Sequence, residues 1–272
     1  MTDKPEQGLE AERELASGDL QFERHGRIGV LTINRPRKLN TMTIEMGRAV
    51  RDLVHEVDAD DSIAALVVAG AGEKAFCAGS DISVLDSFGT RWQMRNRDND
   101  YALDLLGMRK PLIAAIRGYC YGGGLEIALA SDIRVATAES TFACGEVKLG
   151  WIGGSGNAQL LTRTLGPGNA ARLLLTGDPI DGNEAHRIGL IQELVEPDTV
   201  LDRALDYANR IAKNPPIAVQ LTKHSIRMTM STSLEAGLAY DNDLFTLCMM
   251  TEDSAEGIKA FLEKREPHFR GR

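Results

Sequence analysis

The segment Gly118-Tyr119-Cys120-Tyr121-Gly122-Gly123-Gly124-Leu125-Glu126 follows an apolar run at residues 111–117 (PLIAAIR). A short, continuously apolar run is typical of a strand buried on both faces, and residues 125–130 suit the start of a helix. Three successive glycines at such a junction let a ligand approach the backbone, and the helix N-terminus carries a partial positive charge. Glu126 would lie in the first turn of that helix, where a carboxylate often only complements the helix dipole.

Two further glycine-rich segments contain candidate functional groups. Residues 74–82 (KAFCAGSDI) follow the apolar run 64–69, and small residues there let backbone N–H groups face a ligand. Residues 142–154 (FACGEVKLGWIGG) place Glu146 in a loop after a short strand. Taken separately, these segments also fit an ordinary tight turn and a solvent-exposed charge. The glycine runs match neither GxxxxGK(S/T) nor a strand-following GxGxxG, which disfavours those kinds of nucleotide binding.

Strands and helices alternate along the first two-thirds of the chain. The pattern predicts strands at 27–34, 64–69, 111–117, 133–136 and 141–143. Thr41 is predicted to cap a helix whose apolar face contains Met46, Ala49, Val50, Leu53 and Val57. Such alternation predicts repeated β/α units with largely parallel pairing. From Asp198 onward, four helical stretches follow with no convincing strand. We therefore expect a flexible N-terminal arm (1–18), a core (19–196) and a C-terminal helical region (197–272).

The composition restricts the possible partners. The 272 residues include 43% hydrophobic and 26% charged residues, with a formal net charge of −8 and no basic cluster, which disfavours nucleic acid as a partner. The four cysteines have no metal-type spacing, so no metal site is expected. No apolar run reaches the length of a membrane span, and the first 18 residues are acidic, unlike a transit peptide. These features predict a cytoplasmic protein without a membrane partner.

In order and spacing, the three glycine-rich segments together resemble the enoyl-CoA hydratase (crotonase) family. The matching features are an AFCAG-x-D-I turn, a GGG-x-E helix start and a second Glu 20 positions after the first (146 − 126). Residues 34–40 (NRPRKLN) are similar to the family's NRP-x-x-x-N segment, and residues 176–190 and 252–265 match two later motifs. The resemblance runs from about residue 20 to the C-terminus.

The resemblance implies an α/β fold, a crotonase-like spiral of repeated ββα units with a C-terminal helical trimerisation region. It implies a homotrimer, usually paired to a hexamer. The substrate would be an acyl-CoA thioester, with no cofactor beyond its CoA moiety and no metal. The implied reaction is enoyl-CoA hydration. The alternatives are isomerisation, dehydration of a hydroxyacyl-CoA, C–C hydrolysis, a non-catalytic CoA- or RNA-binding role, and a purely structural oligomer.

The resemblance also assigns individual residues. The backbone N–H groups of Ser80 and Gly123 would form an oxyanion hole, which stabilises an enolate-like thioester oxygen. Glu126 would hold and activate the water, Glu146 would handle the proton at Cα, and the N–H of Gly154 would orient the water. The residues implied in CoA binding are Arg37, Lys38, Leu39, Ala78, Ser80, Asp81, Ile82, Phe261 and Lys264. The last two would come from a neighbouring subunit, with Lys264 facing a phosphate.

The sequence departs from the family pattern in three places. Ser80 stands where the family usually has Ala, which adds a hydroxyl near the thioester. Residues 152–156 read IGGSG where many hydratases have IPGAG, and the loop's Trp151 could line the acyl pocket or pack in the core. The segment Phe88–Arg109 is highly charged. A solvated helix face is the simplest interpretation, although an arginine there could bind a polar or carboxylated acyl chain.

Overall fold

Two β-sheets form the centre of the protein in the computed structural model, which describes residues 12–83 and 100–272. The strands are β1 (Glu12–Leu15), β2 (Leu20–His25), β3 (Ile28–Ile33), β4 (Ala65–Gly70), β5 (Ala75–Cys77), β6 (Leu112–Ile116), β7 (Tyr119–Tyr121), β8 (Ile133–Ala136), β9 (Thr141–Ala143), β10 (Ile180–Asp181) and β11 (Glu193–Leu194). One sheet has the order β1-β2-β3-β4-β6-β8-β11 and the other β10-β9-β7-β5. Pairing is parallel from β3 to β11 and from β9 to β5.

Helices connect and cover these sheets. In the described part of the chain they are α1 (Ile44–Ala59), α2 (Tyr101–Gly107), α3 (Gly123–Ala130), α4 (Asn157–Thr176), α5 (Gly182–Arg187), α6 (Val200–Ala212), α7 (Pro216–Met228), α8 (Leu234–Met249) and α9 (Glu252–Glu263). Helix α4 is kinked at Gly166, where φ is +74°. None of the helices in the described ranges combines the length and apolarity needed to cross a membrane.

The central strands are buried on both faces, as their apolar sequences predict. Leu66 and Val68 of β4 belong to a cluster that includes Leu53 of α1, whereas Val67 packs in a second cluster with Ala204 of α6. Alternate residues of one strand therefore face different helical layers. The predicted β/α order, the bounds of β8 and β9, and the four C-terminal helices are confirmed.

The predicted N-cap of α1 was wrong. Thr43, not Thr41, accepts a hydrogen bond from the backbone N–H of Met46 at 3.2 Å. Met42 is still in an extended bridge with Ser80, so the helix cannot begin before residue 43. The Thr41 hydroxyl instead lies 3.3 Å from the guanidinium of Arg35.

The prediction of a flexible arm was also wrong for residues 12–15. These residues form β1, which pairs with β2 in antiparallel register from Glu12↔Glu23 to Leu15↔Leu20. Leu15 packs against the core cluster, although its three preceding residues are charged and gave no strand pattern. Residues 1–11 of that arm lie outside the described residues.

Candidate active site

The three glycines before Glu126 let the start of α3 pack directly against neighbouring backbone. Gly122 has φ +51°, a conformation that L side chains rarely adopt. A Cβ added to Gly123 would overlap the Tyr101 hydroxyl, and one added to Gly124 would overlap the carbonyl oxygen of Cys77. From the sequence, the only reason given for these glycines was that a ligand could approach the backbone. Contact of α3 with α2 and β5 is a second reason for two of them.

Two loops bring the N–H groups of Ser80 and Gly123 to the same place. Met42 N–H donates to the carbonyl of Gly79 at 2.9 Å, and Asp81 N–H donates to the carbonyl of Met42 at 2.8 Å. A Cβ built on Gly79 would lie 3.2 Å from the nitrogen of Gly123. Within residues 12–83 and 100–272, neither Ser80 N–H nor Gly123 N–H has an acceptor. Two backbone donors are thus available side by side.

Glu126 is a buried carboxyl group that accepts a hydrogen bond from Ser155. The residue is 5% exposed, and Ser155 N–H donates to its Oε1 at 3.0 Å. Burial raises the pKa of Glu126 to about 7, opposed by the Ser155 hydrogen bond and assisted by the charges of Asp100 and Glu146. A carboxyl group with this pKa can accept and return a proton near neutral pH.

Glu146 lies in the 3-10 helix Gly145–Leu149, beside the glycine turn. The amide nitrogen of Asn157 donates to Glu146 Oε1 at 3.1 Å and lies 3.4 Å from the carbonyl oxygen of Gly122. Glu146 Oε2 is buried and has no partner in the described part of the chain. The two glutamates, 20 positions apart in sequence, thus place both their carboxyl groups at the start of α3.

Sequence reasoning missed four residues that complete this site: Asp100, Tyr101, Ser155 and Asn157. Ser80 Oγ lies 2.9 Å from the Tyr101 hydroxyl, and Ser155 Oγ donates to Asp100 Oδ2 at 2.6 Å. Burial raises the pKa of Tyr101 well above its usual value, so its hydroxyl remains protonated. Asp100 precedes the apolar start of α2, so its sequence signal was that of a helix cap. Nothing in the sequence marks Asn157 as fully buried.

The two N-terminal segments predicted to bind CoA lie next to each other. Arg37 and Lys38 belong to the 3-10 helix Pro36–Lys38, and Leu39 follows with φ +52°. Ala78 N–H donates to the carbonyl of Leu39 at 3.0 Å. Ile82 is 63% exposed at the end of the second segment.

The remaining predicted positions are not joined to these loops. Phe261, on α9, is 84% exposed, and Lys264 ends that helix in the left-handed region. No hydrogen bond or ion pair among the described residues links either one to the glycine-rich loops. Both neighbours of Gly154 adjoin the Glu126 carboxylate: Ser155 N–H donates to Oε1, and a Cβ built on Gly153 would lie 3.0 Å from the same oxygen. Of the charged segment Phe88–Arg109, residues 88–99, including the candidate arginines, lie outside the described residues.

Comparisons with known proteins give several relatives of this chain. The chain is 38% identical over 249 residues to the short-chain-enoyl-CoA hydratase of Clostridium acetobutylicum, covering 90% of this chain and 95% of that protein. It is 38% identical to the (E)-benzylidenesuccinyl-CoA hydratase of Thauera aromatica, covering 90% and 96%. The crystal structure of an enoyl-CoA hydratase from Bacillus anthracis superposes with a TM-score of 0.86 at 30% identity, covering 93% of this chain and all of that one. Residues 23–272 match the sequence profile described as enoyl-CoA hydratase/isomerase, and the chain belongs to this family.

Proposed function

We propose that the protein is an enoyl-CoA hydratase that adds water across the α,β double bond of an enoyl-CoA thioester. The observation that carries this proposal is the pair of carboxyl groups. Glu126 is buried with a pKa of about 7, and Glu146 lies beside the same glycine turn, with its Oε1 3.1 Å from where a Cβ on Gly122 would stand. Two carboxyl groups of this kind can move the two protons that the addition of water requires.

Hydration assigns a different proton to each carboxyl group. Glu126 takes a proton from the bound water as its oxygen bonds to Cβ, and the double-bond electrons move to the thioester oxygen as an enolate. The enolate then collapses and Cα takes a proton from Glu146, so that one water has been added. The N–H of Gly154 would help to orient that water.

The N–H groups of Ser80 and Gly123 would form the oxyanion hole. Their fixed positions and lack of acceptors within the described part of the chain support this role. Because negative charge develops on the thioester oxygen only during the reaction, two preorganised donors stabilise the transition state more than the substrate.

The adjoining segments containing Arg37, Lys38, Leu39 and Ala78–Ile82 would hold the CoA moiety. Phe261 and Lys264 would reach the CoA of a neighbouring subunit, which is consistent with the exposure of Phe261 and with its lack of contact with its own site. We further propose a cytoplasmic homotrimer or hexamer that uses no metal and no cofactor beyond the CoA moiety. Exposed apolar residues in the C-terminal helical region support this assembly, because a subunit interface would cover them. They include Leu234, Leu238, Phe245, Met250 and Phe261.

Hydration of crotonyl-CoA, followed by the loss of the conjugated thioester absorbance, tests the reaction. Glu126→Gln and Glu146→Gln should each lower kcat at least about a thousandfold, since each removes a proton donor and acceptor. Glu139→Gln removes an exposed carboxylate and should leave kcat unchanged. Full hydration by Glu126→Gln would contradict water activation by Glu126 and would favour double-bond isomerisation, which requires only Glu146.

Size-exclusion chromatography with light scattering tests the assembly. The expected mass is three or six times the 29.6 kDa of one chain. A monomer that binds CoA as tightly as the assembled protein would contradict the contribution of Phe261 and Lys264 from a neighbouring subunit.

A further inference from the structure

Ser155 lies between two carboxylates of the candidate active site and donates to both. Its backbone N–H contacts Glu126 Oε1 at 3.0 Å, and its hydroxyl contacts Asp100 Oδ2 at 2.6 Å. The residue is 4% exposed, so both contacts are shielded from water. A hydrogen bond of this kind is stronger in a shielded place than at the surface. Ser155 therefore links the position of Glu126 to that of Asp100.

Asp100 is itself fixed by the helix that it caps. Its Oδ1 accepts hydrogen bonds from the N–H groups of Ala102 at 3.2 Å and Leu103 at 3.3 Å, at the start of α2. The second oxygen, Oδ2, is the one that Ser155 contacts. The Asp100 carboxylate is thus fixed next to Ser155, the residue whose N–H donates to Glu126.

Other groups face Glu126 from the surrounding elements. Burial raises the pKa of the Cys77 thiol on β5 to about 12, and burial raises the pKa values of Cys144 and Tyr101 as well. These three groups are neutral near pH 7, and Asn157 carries no charge. Among the described residues, the charges that act on Glu126 are those of Asp100 and Glu146, and both favour its protonated form.

We propose that Asp100 is a positioning residue that acts on Glu126 through its charge and through Ser155 and favours the protonated form of Glu126. Asp100 does not contact the reacting atoms in this role. It changes the balance between the two protonation states of Glu126. The sequence contains a related departure, because Ser155 supplies its hydroxyl at a position where many hydratases have Ala.

The consequence, which rests on the proposed function, concerns the direction of catalysis. When Glu126 carries the proton, the site is ready to remove water: Glu126 gives its proton to the leaving hydroxyl and Glu146 takes the Cα proton. Hydration starts from the opposite state. Removing the charge of Asp100 should therefore favour ionised Glu126 and shift the pH dependence of hydration toward lower pH.

The decisive measurement is the titration of Glu126 in the free, full-length protein by carbon-13 NMR of its carboxyl group. The Glu126 signal is identified by its absence from the spectrum of Glu126→Gln. Asp100→Asn should lower the Glu126 midpoint by about half a pH unit or more, because a nearby negative charge is lost. Asn caps helices about as well as Asp, so α2 should remain folded. Glu139→Gln changes an exposed carboxylate that does not contact Asp100 or Ser155 and serves as the control.

Ser155→Ala provides a second variant, because it keeps the N–H that contacts Glu126 and removes the hydroxyl that contacts Asp100. Because the Asp100 charge stays and the Ser155 hydroxyl no longer favours ionised Glu126, its Glu126 midpoint should rise instead, and the pH profile of crotonyl-CoA hydration by each variant should follow its own midpoint. Folded variants in which Glu126 titrates as in the wild type would overturn the role of Asp100. A shifted titration in a protein that hydrates no enoyl-CoA would instead contradict the proposed function and leave the Asp100 coupling in place.

Discussion

Glu126 and Lys223 are ionisable residues that are buried to nearly the same degree, 5% and 6% exposed, yet their surroundings differ. Burial is the main cause of the pKa change in both, raising that of Glu126 to about 7 and lowering that of Lys223 to about 8. The ammonium of Lys223 contacts Asp132 Oδ2 at 2.7 Å and the carbonyl oxygen of Lys110 at 2.6 Å. Glu126 accepts a hydrogen bond from Ser155 N–H and faces the carboxylates of Asp100 and Glu146.

The difference separates a structural charge from a catalytic candidate. Asp132 also accepts a hydrogen bond from Leu112 N–H at 2.7 Å, so the Lys223 pair joins α7 to β6 and fixes the C-terminal helices on the core. At Glu126, neighbouring charges of the same sign add to the cost of burial. Such an arrangement destabilises the ionised form, which is useful for a group that must exchange a proton. The two sites thus use burial for opposite purposes.

The largest expected effect on stability is a gain from Glu126→Gln at alkaline pH. The folded chain binds the Glu126 proton more tightly than the unfolded chain, whose ordinary pKa is 4.5. The contribution of Glu126 to the free energy of unfolding is therefore fully present below about pH 4.5 and is lost as the pH rises through about 7. Gln avoids this loss, so the variant should exceed the wild type by on the order of 3 kcal/mol above about pH 8.

Chemical unfolding at about pH 5 and about pH 8 measures this gain. Glu139→Gln, which changes an exposed carboxylate, should behave as the wild type at both pH values. Equal stability of the wild type and Glu126→Gln across this range would mean that burial of Glu126 carries no electrostatic cost, and the comparison with Lys223 would fail.

Lys223→Met should have the opposite effect on stability. The substitution removes the charge that Asp132 faces and the donor to the Lys110 carbonyl, so the free energy of unfolding should fall by about 2 kcal/mol at neutral pH. Because the Asp132 side chain is 30% exposed, water offsets part of the loss, and the effect is smaller than for a fully buried pair. The exposed Lys213→Met is the control. A stable Lys223→Met protein with reduced kcat would contradict a purely structural role.

Much of the fold could be predicted from sequence because its main strands are continuously apolar. The runs that became β4 and β6 lie between two helical layers, so nearly every side chain is buried and the pattern is clear. Strands β5 and β7 were missed because they have only three residues each and lie within segments whose glycines indicate turns. The charged strand β1 is held mainly by backbone pairing with β2, which leaves no apolar alternation to detect.

The candidate site could be predicted only for residues whose chemical type and sequence spacing both match a known pattern. Glu126 and Glu146 were identified because each adjoins a glycine-rich turn at a separation that resembles a known family. Asp100 and Ser155 are 55 positions apart, and their contact depends on how α2 packs against the loop before α4. No local pattern encodes that contact, because a capping Asp and a loop Ser are common in places that have no function.

The smallest effect is expected from Asn157→Ala. This variant tests whether the polar groups around the two glutamates are less completely hydrogen-bonded than those around Lys223. The Lys223 ammonium has partners in a carboxylate and a carbonyl, whereas Asn157 Oδ1 and Glu146 Oε2 have none in the described part of the chain. Asn157 orients Glu146 through one amide hydrogen bond, so its loss should lower kcat about tenfold with little change in KM. Asn169→Ala removes an amide from the same helix and should leave kcat unchanged. Equal kcat values for the two variants would mean that Glu146 is held in place without Asn157.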